Sequence, residues 1–215
     1  MKYDAILFDM DGTLLDSLDD LMDATNAILA RHGYPLRSRE EIRGFVGNGA
    51  AMLIRRAVPR GTDEETIARC LAEYKPYYQA HSCIKTKPYE GIPELLKTLK
   101  AEGVKLAVVS NKPDATTKDL SGRFFGDTMT LALGDGMGLA KKPAPDMVLR
   151  AVEELGTERG RALYVGDSEV DVATAENAKL DLIAVSWGFR GREKLTEAGA
   201  KTVVDTASEL LTLVR

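Results

Sequence analysis

Histidine, cysteine and tryptophan are nearly missing from this chain: 215 residues contain two His, two Cys and one Trp. Cys70 and Cys83 allow at most one disulfide, and a chain of this length needs none to hold a core. His32 and His81 have no metal-ligand partner at useful spacing, so both are read as structural or surface residues. Excess positive charge is also missing. The formal net charge is -4, without the basic stripe of a nucleic-acid binder, so an anionic substrate has to be held by local positive charge. No run approaches the roughly 18 apolar residues of a membrane span. The opening MKYDAILFDMDGT is apolar too briefly, and charged too soon, to act as a signal peptide, so a cytoplasmic protein is expected. The G-x-x-x-x-G-K-[ST] phosphate loop, the G-x-G-x-x-G dinucleotide fingerprint and the G-x-S-x-G elbow do not occur. Internal repeats and low-complexity segments are absent too.

What is present is ordinary globular material, 44% apolar and 29% charged. Residues 3–8 (YDAILF) form a short apolar run that stops at an acidic, Gly-containing turn, as a buried strand ending at Asp9 would. Similar runs recur at 104–109, 128–133, 161–165, 182–186 and 201–204. Helical patterns alternate with them from residue 92 on. One starts at Pro93 and stops at Gly103; the next runs from Pro145 to Gly156. That alternation predicts an α/β fold: a Rossmann-like parallel sheet core flanked by helices. From about 17 to 85 the signals are helical only. Ser17 is a plausible N-cap, Ser38-x-x-Glu41 and Thr62-x-x-Glu65 read as capping boxes, 50–58 reads as a short apolar helix, and Pro76 is expected to kink or end the last helix. The expected organisation is therefore a core of 1–15 and 86–215, with a small all-helical domain of 16–85 inserted after the first strand.

Four short motifs carry chemistry. Asp9-Met10-Asp11-Gly12-Thr13 sets two carboxylates directly after a buried strand, where ligands gather in open α/β sheets. Alone it also fits a polar turn. It does not fit a calcium loop, because position 20 is Asp and Gly12 comes too early. Ser110-Asn111-Lys112 follows the run VKLAVV and offers a hydroxyl and an amide to a phosphate, or simply a turn and helix cap. Lys142, in the Pro-stiffened Lys141-Lys142-Pro143-Ala144-Pro145, is a point charge suited to phosphate oxygens, or a solvated lysine. Gly166-Asp167-Ser168-Glu169-Val170-Asp171 again puts an acid, Asp167, at a strand end, while Asp171 also has capping spacing to Ser168. In a parallel sheet all four motifs converge on one rim. They bring three carboxylates, a hydroxyl and a lysine, an oxygen-rich set that suits Mg²⁺ and a substrate phosphate.

The set DMDGT, SNK, KKPAPD and GDSEVD resembles the four motifs of the haloacid dehalogenase-like hydrolase superfamily. The resemblance spans essentially the whole chain, and the helical insert looks like that superfamily's cap domain. Within the superfamily the chain is most similar to the phosphoglycolate phosphatase group, including the cap segment Gly44-Phe45-Val46-Gly47-Asn48-Gly49-Ala50. The resemblance implies a Mg²⁺-dependent phosphatase acting on a small phosphorylated metabolite, with 2-phosphoglycolate as the best single substrate. It implies that Asp9 is the nucleophile, forming an aspartyl-phosphate, and Asp11 the general acid. Mg²⁺ would be held by Asp9, the backbone carbonyl of Asp11, and Asp167, with Asp171 binding or orienting the metal site. Ser110 and Lys142 would orient the phosphate, with help from Asn111, and Thr13 would steady the loop and phosphate. Rival readings are a sugar-phosphate mutase similar to β-phosphoglucomutase, a pyrophosphatase or nucleotidase, and a non-catalytic binding module. A dehalogenase would lack Asp11. A monomer or homodimer is expected, without nucleic-acid or membrane partners. The chain departs from its relatives at Lys179, where they usually have Gly; a left-handed Lys179 would cost roughly 1 kcal/mol. Trp187, with Gly188-Phe189-Arg190 after a strand, could border the site but is read first as a packing residue, as are Cys70, Tyr74, Tyr77 and Tyr78.

Overall fold

The computed structural model describes residues 1–136 and 138–215. The chain divides into two compact units, Met1–Asp16 with Pro88–Arg215, and Ser17–Lys87. Two short strands, β2 (Leu15–Asp16) and β3 (Lys87–Pro88), lie where the chain leaves the first unit and returns to it.

The first unit is built on a six-stranded sheet, all of whose pairings are parallel. Its strands are β1 (Ala5–Phe8), β4 (Lys105–Pro113), β5 (Leu131–Asp135), β6 (Ala162–Gly166), β7 (Asp181–Val185) and β8 (Val203–Val204). They run in the order β5-β4-β1-β6-β7-β8. The central strand β1 reads AILF and is buried throughout, as expected of a parallel strand covered on both faces. Ala5 and Leu7 pack with Ala107, Val109, Leu133 and Tyr164 against helices α7 (Asp146–Glu154) and α8 (Glu169–Ala178). Ile6 and Phe8, the alternate residues of β1, are equally buried. Helices α5 (Ile92–Ala101), α6 (Asp114–Phe125), α9 (Gly191–Glu197) and α10 (Ala207–Val214) complete the unit. After β1 the sheet grows first through β4 and β5, then on the other side of β1 through β6 to β8. The strand order therefore reverses around β1, the place at whose carboxyl ends open α/β sheets bind their ligands.

The second unit contains α1 (Leu18–Arg31), α2 (Arg39–Phe45), α3 (Ala50–Ala57) and α4 (Glu64–His81). Its two ends are fastened by one buried side chain. Asp20 accepts the N–H groups of Ile84, Lys85 and Thr86 at 2.8–3.0 Å and the Thr86 hydroxyl at 2.7 Å. Arg56 donates to the Phe45 carbonyl at 2.7 Å and to Asn48 Oδ1 at 2.9 Å, which orders the loop between α2 and α3.

Local differences from the sequence reading have clear causes. Helix α4 runs through Pro76 without interruption. Pro76 is exposed, while Ile67, Cys70, Tyr74 and Tyr78 are buried along one face, so packing outweighs one lost hydrogen bond. The cap of α4 is Asp63, which accepts from Thr66 N at 2.8 Å, and not Thr62, whose hydroxyl donates to the Pro59 carbonyl instead. Ser38 and Glu41 do form the reciprocal box. Ser17 occupies the N-cap position of α1 without a capping bond from its side chain. Strand β5 starts at Leu131 rather than 128, because Gly126–Thr128 is a 3₁₀ turn. Strand β4 runs on through Ser110, Asn111 and Lys112, so those residues are strand rather than turn. Lys179 is left-handed, with φ 56° and ψ 47°. No helix among the described residues is long and apolar enough to cross a membrane.

Candidate active site

The carboxyl ends of β1, β4 and β6 carry most of the site, and each side chain is placed by its strand. Asp9 is the first residue past β1, and its N–H donates to the Val165 carbonyl of β6 at 2.9 Å. Its own carboxylate accepts from Met10 N at 2.7 Å. Asp11 follows in the turn, and Gly12 (φ +86°) is required there on two counts. The backbone is left-handed, and a Cβ would lie 2.2 Å from Asp167 Oδ2. Thr13, fully buried, donates its hydroxyl to Asp167 Oδ1 at 3.2 Å.

Lys142 arrives from the loop before α7, and its side chain is only 2% exposed. Its ammonium meets three oxygens: Asp9 Oδ1 at 2.9 Å, Asp171 Oδ1 at 2.8 Å and Tyr164 Oη at 2.9 Å. The loop itself is held by Asn111. That side chain pairs with the main chain of Lys142 in both directions, each bond 2.9 Å. Asn111 therefore spends its amide on the lysine loop, a use the sequence reading did not foresee when it aimed that amide at a phosphate. Ser110, buried beside it, accepts from Lys112 N at 3.2 Å. A second buried lysine, Lys112, places its ammonium 3.1 Å from Asp11 Oδ1.

Asp171 sits in the first turn of α8. Its Oδ2 accepts from the N–H groups of Asp167 and Ser168 and from the Ser168 hydroxyl at 2.6–3.2 Å. Its Oδ1 accepts from Lys142 and from the Tyr164 hydroxyl at 3.0 Å. The side chain thus caps the helix and also anchors the lysine.

The charges are unevenly compensated. Burial pushes the Asp9 carboxyl up to about 7, against the pull of Lys142 and with the repulsion of Asp171. Burial, then the charges of Asp171 and Asp9, drive Asp167 well above the usual carboxylate range; its bonds from Thr13 and Phe189 are to neutral donors. Asp171 is also desolvated, but Lys142 holds it below its ordinary value. Lys142 is raised well above the ordinary lysine value: burial opposes its charge, and Asp171 and Asp9 outweigh burial.

Asp9, Asp167 and Asp171 bring carboxylate oxygens within 4.8 Å of one another, all three buried. This all-oxygen donor set, carrying more negative charge than one ammonium offsets, fits a hard divalent cation such as Mg²⁺. Asp171 already accepts five hydrogen bonds, against two for Asp167 and two, both on Oδ1, for Asp9, so Asp9 and Asp167 have the greater capacity for a metal. The Asp11 carboxylate lies outside this group and pairs with Lys112 instead.

One further segment, read from the sequence as packing that could border the site, does border it. Trp187 donates its indole N–H to the Thr13 carbonyl at 3.0 Å, and Phe189 N donates to Asp167 Oδ2 at 2.7 Å. Between them, a Cβ on Gly188 would stand 2.3 Å from the Gly12 carbonyl oxygen and 2.4 Å from Asp167 Cβ. Trp187, Gly188 and Phe189 therefore clamp the Asp167 side chain against the first loop. The one signal available was a W-G-F run directly after a strand. Outside the site, His32 pairs with Glu73 at 3.0 Å and His81 pairs with the Tyr77 carbonyl at 2.7 Å.

Residues 6–185 match the model of the family described as haloacid dehalogenase-like hydrolase. A phosphoglycolate phosphatase of Pseudomonas syringae pv. syringae is 35% identical over 96% of this chain and 78% of its own length. The N-acetylmuramic acid 6-phosphate phosphatase of Pseudomonas aeruginosa is 31% identical over 98% of this chain and 94% of its own. The crystal structure of a candidate phosphoglycolate phosphatase from Lactobacillus delbrueckii subsp. bulgaricus superposes with a TM-score of 0.94 at 38% identity, covering 100% of this chain and 99% of that one.

Proposed function

Because the chain belongs to the haloacid dehalogenase-like hydrolase family, we propose that it hydrolyses a small phosphomonoester in two displacements at Asp9. In the first, a carboxylate oxygen of Asp9 bonds to phosphorus as the bond to the leaving oxygen breaks, and the Asp11 carboxyl gives that oxygen its proton. In the second, the Asp11 carboxylate takes a proton from water as the water oxygen bonds to phosphorus and the Asp9 oxygen is released. Splitting the reaction lowers each barrier, and two acids in unlike surroundings divide the roles. Lys142 orients the phosphoryl group and offsets its charge, Ser110 donates to it, and Thr13 steadies the loop and phosphate. Asn111 holds the Lys142 loop. Asp9, the Asp11 carbonyl and Asp167 hold Mg²⁺, and Asp171 orients the site. When bound, the metal supplies positive charge that favours the ionised nucleophile and the transferring phosphoryl group. The helical unit serves as a cap that helps select the substrate.

The observation that carries this reading is the buried group Asp9, Lys142, Asp167 and Asp171 around the carboxyl end of β1, with Lys142 at 2.9 Å from Asp9. The leading substrate is 2-phosphoglycolate, supported by the name of the Pseudomonas syringae relative. A second substrate class, a sugar-acid phosphate, is supported by the Pseudomonas aeruginosa relative.

The test is phosphate release from 2-phosphoglycolate, N-acetylmuramic acid 6-phosphate, glucose 1-phosphate, nucleoside monophosphates and pyrophosphate. Each is assayed with Mg²⁺, with EDTA, and with Asp9→Asn protein. Mg²⁺-dependent release that disappears in Asp9→Asn is expected. If glucose 1-phosphate is instead converted to an isomer without phosphate release, the activity is that of a mutase. No release from any compound ends the phosphatase reading.

A further inference from the structure

Two buried lysines flank the first motif, and only one of them has a part in the reaction above. Lys142 stands on Asp9 and Lys112 on Asp11, at 2.9 and 3.1 Å. A lysine side chain only 2% exposed is costly unless its charge is paired, so the position of Lys112 calls for a reason. Its backbone is fixed at the end of β4. The N–H donates to Ser110 Oγ at 3.2 Å, and the carbonyl accepts from Thr117 Oγ1 at 3.3 Å. Asp11, by contrast, is 20% exposed on a turn made by a left-handed glycine. A carboxyl side chain has several staggered rotamers, and proton transfer demands one of them.

Resting on the phosphatase reading, we infer that Lys112 is a positioning residue whose ammonium fixes the Asp11 carboxyl group for proton exchange with the leaving oxygen. The rigid strand end sets the lysine, and the lysine sets the acid. Displacement of a reacting group by about 1 Å costs on the order of 100-fold in rate. The effect is confined to substrates whose leaving oxygen needs a proton. An alkoxide needs one at departure, whereas 4-nitrophenolate leaves without it.

The experiment compares kcat/KM, which reports the steps up to leaving-group departure, for 2-phosphoglycolate (or the best alkyl phosphate of the panel) and for 4-nitrophenyl phosphate. Wild type, Lys112→Met, Asp11→Asn and the double variant are measured. Lys112→Met is expected to lose about 100-fold on the alkyl phosphate and only a few-fold on the aryl phosphate. In the Asp11→Asn background, Lys112→Met should cost almost nothing more, because the group it positions is no longer an acid. Equal losses on both substrates, no loss on either, or additive losses in the double variant overturn the inference. Should Lys112→Met fail to fold, the same ratio is read on Lys112→Gln. Wild-type protein inactive on both substrates sinks the phosphatase reading itself, and this inference with it.

Discussion

Stripping the metal should leave a protein that becomes less stable as pH rises from about 4 to about 7. The perturbation is chelation with EDTA, and one group responsible is Asp9, whose carboxyl is pushed from 3.8 to about 7 in the folded chain. Between those values the unfolded chain has released the proton and the folded chain keeps it, so unfolding releases a proton and rising pH favours it. Three units at about 1.36 kcal/mol each amount to roughly 4 kcal/mol by the upper end of the window. Asp167, raised in the same direction, adds to the decline. Asp171 is lowered, so its contribution is present above about pH 4 and is lost only in stronger acid. A chain of this size shifts its Tm by about 2–4 °C per kcal/mol, so the fall amounts to roughly 10 °C. The assay is thermal unfolding in EDTA from about pH 4 to about pH 8, for wild type and Asp9→Asn. The variant should lose the part of the slope that Asp9 supplies and keep the part that Asp167 supplies. Added Mg²⁺ should raise the wild-type Tm more at the alkaline end, because the ligands must be ionised to bind. A wild-type Tm that is flat or rising in EDTA, or an equal slope in Asp9→Asn, would refute the reasoning.

Two further predictions concern backbone geometry. Gly188→Ala forces a Cβ to within 2.3–2.4 Å of the Gly12 carbonyl and Asp167, at a cost of about 1–3 kcal/mol. Since Asp167 must yield, the Mg²⁺ concentration giving half-maximal activity should rise about 10-fold or more, and an unchanged Mg²⁺ titration would mean that the clamp does not set the ligand. Lys179→Gly should relieve the left-handed lysine and stabilise by about 1 kcal/mol, read as a Tm rise of about 2–4 °C. Turnover should not change, because Lys179 lies at the far end of α8 from Asp171, about 10 Å or more along the helix axis.

How much of this was legible in the sequence depended on whether the signal was local. Strand β1 ends in an apolar run that can only be buried, and the acid after it is necessarily at a strand end. The alternation of strands and helices then brings the other strand ends to the same rim. Asp9, Lys142 and Asp167 were therefore readable from spacing and chemistry together. Caps were readable to within a residue, because Thr62 and Asp63 both suit an N-cap and the winner is decided by which oxygen meets Thr66 N. Pro76 misled because a rule about one hydrogen bond was set against the packing of Tyr74 and Tyr78, which only the folded unit reveals.

The residues that hold the chemistry in place were the ones hidden from the sequence. Asn111 looks like a phosphate ligand because it sits between Ser110 and Lys112, but its amide closes on the main chain of Lys142, thirty-one residues later. Tyr164 is an ordinary strand residue until its hydroxyl is seen between Lys142 and Asp171. Trp187 and Phe189 reach Thr13 and Asp167 across more than twenty residues of chain. Nothing in a residue's neighbours in sequence encodes such a partner; only the sheet order does. The same order explains why the two carboxylates of the first motif meet lysines from different segments. β4 lies beside β1 and brings Lys112 to Asp11, while the loop before α7 returns across the rim and brings Lys142 to Asp9. Separate lysines let the two acids be set independently, which is what a nucleophile and a proton donor two residues apart require.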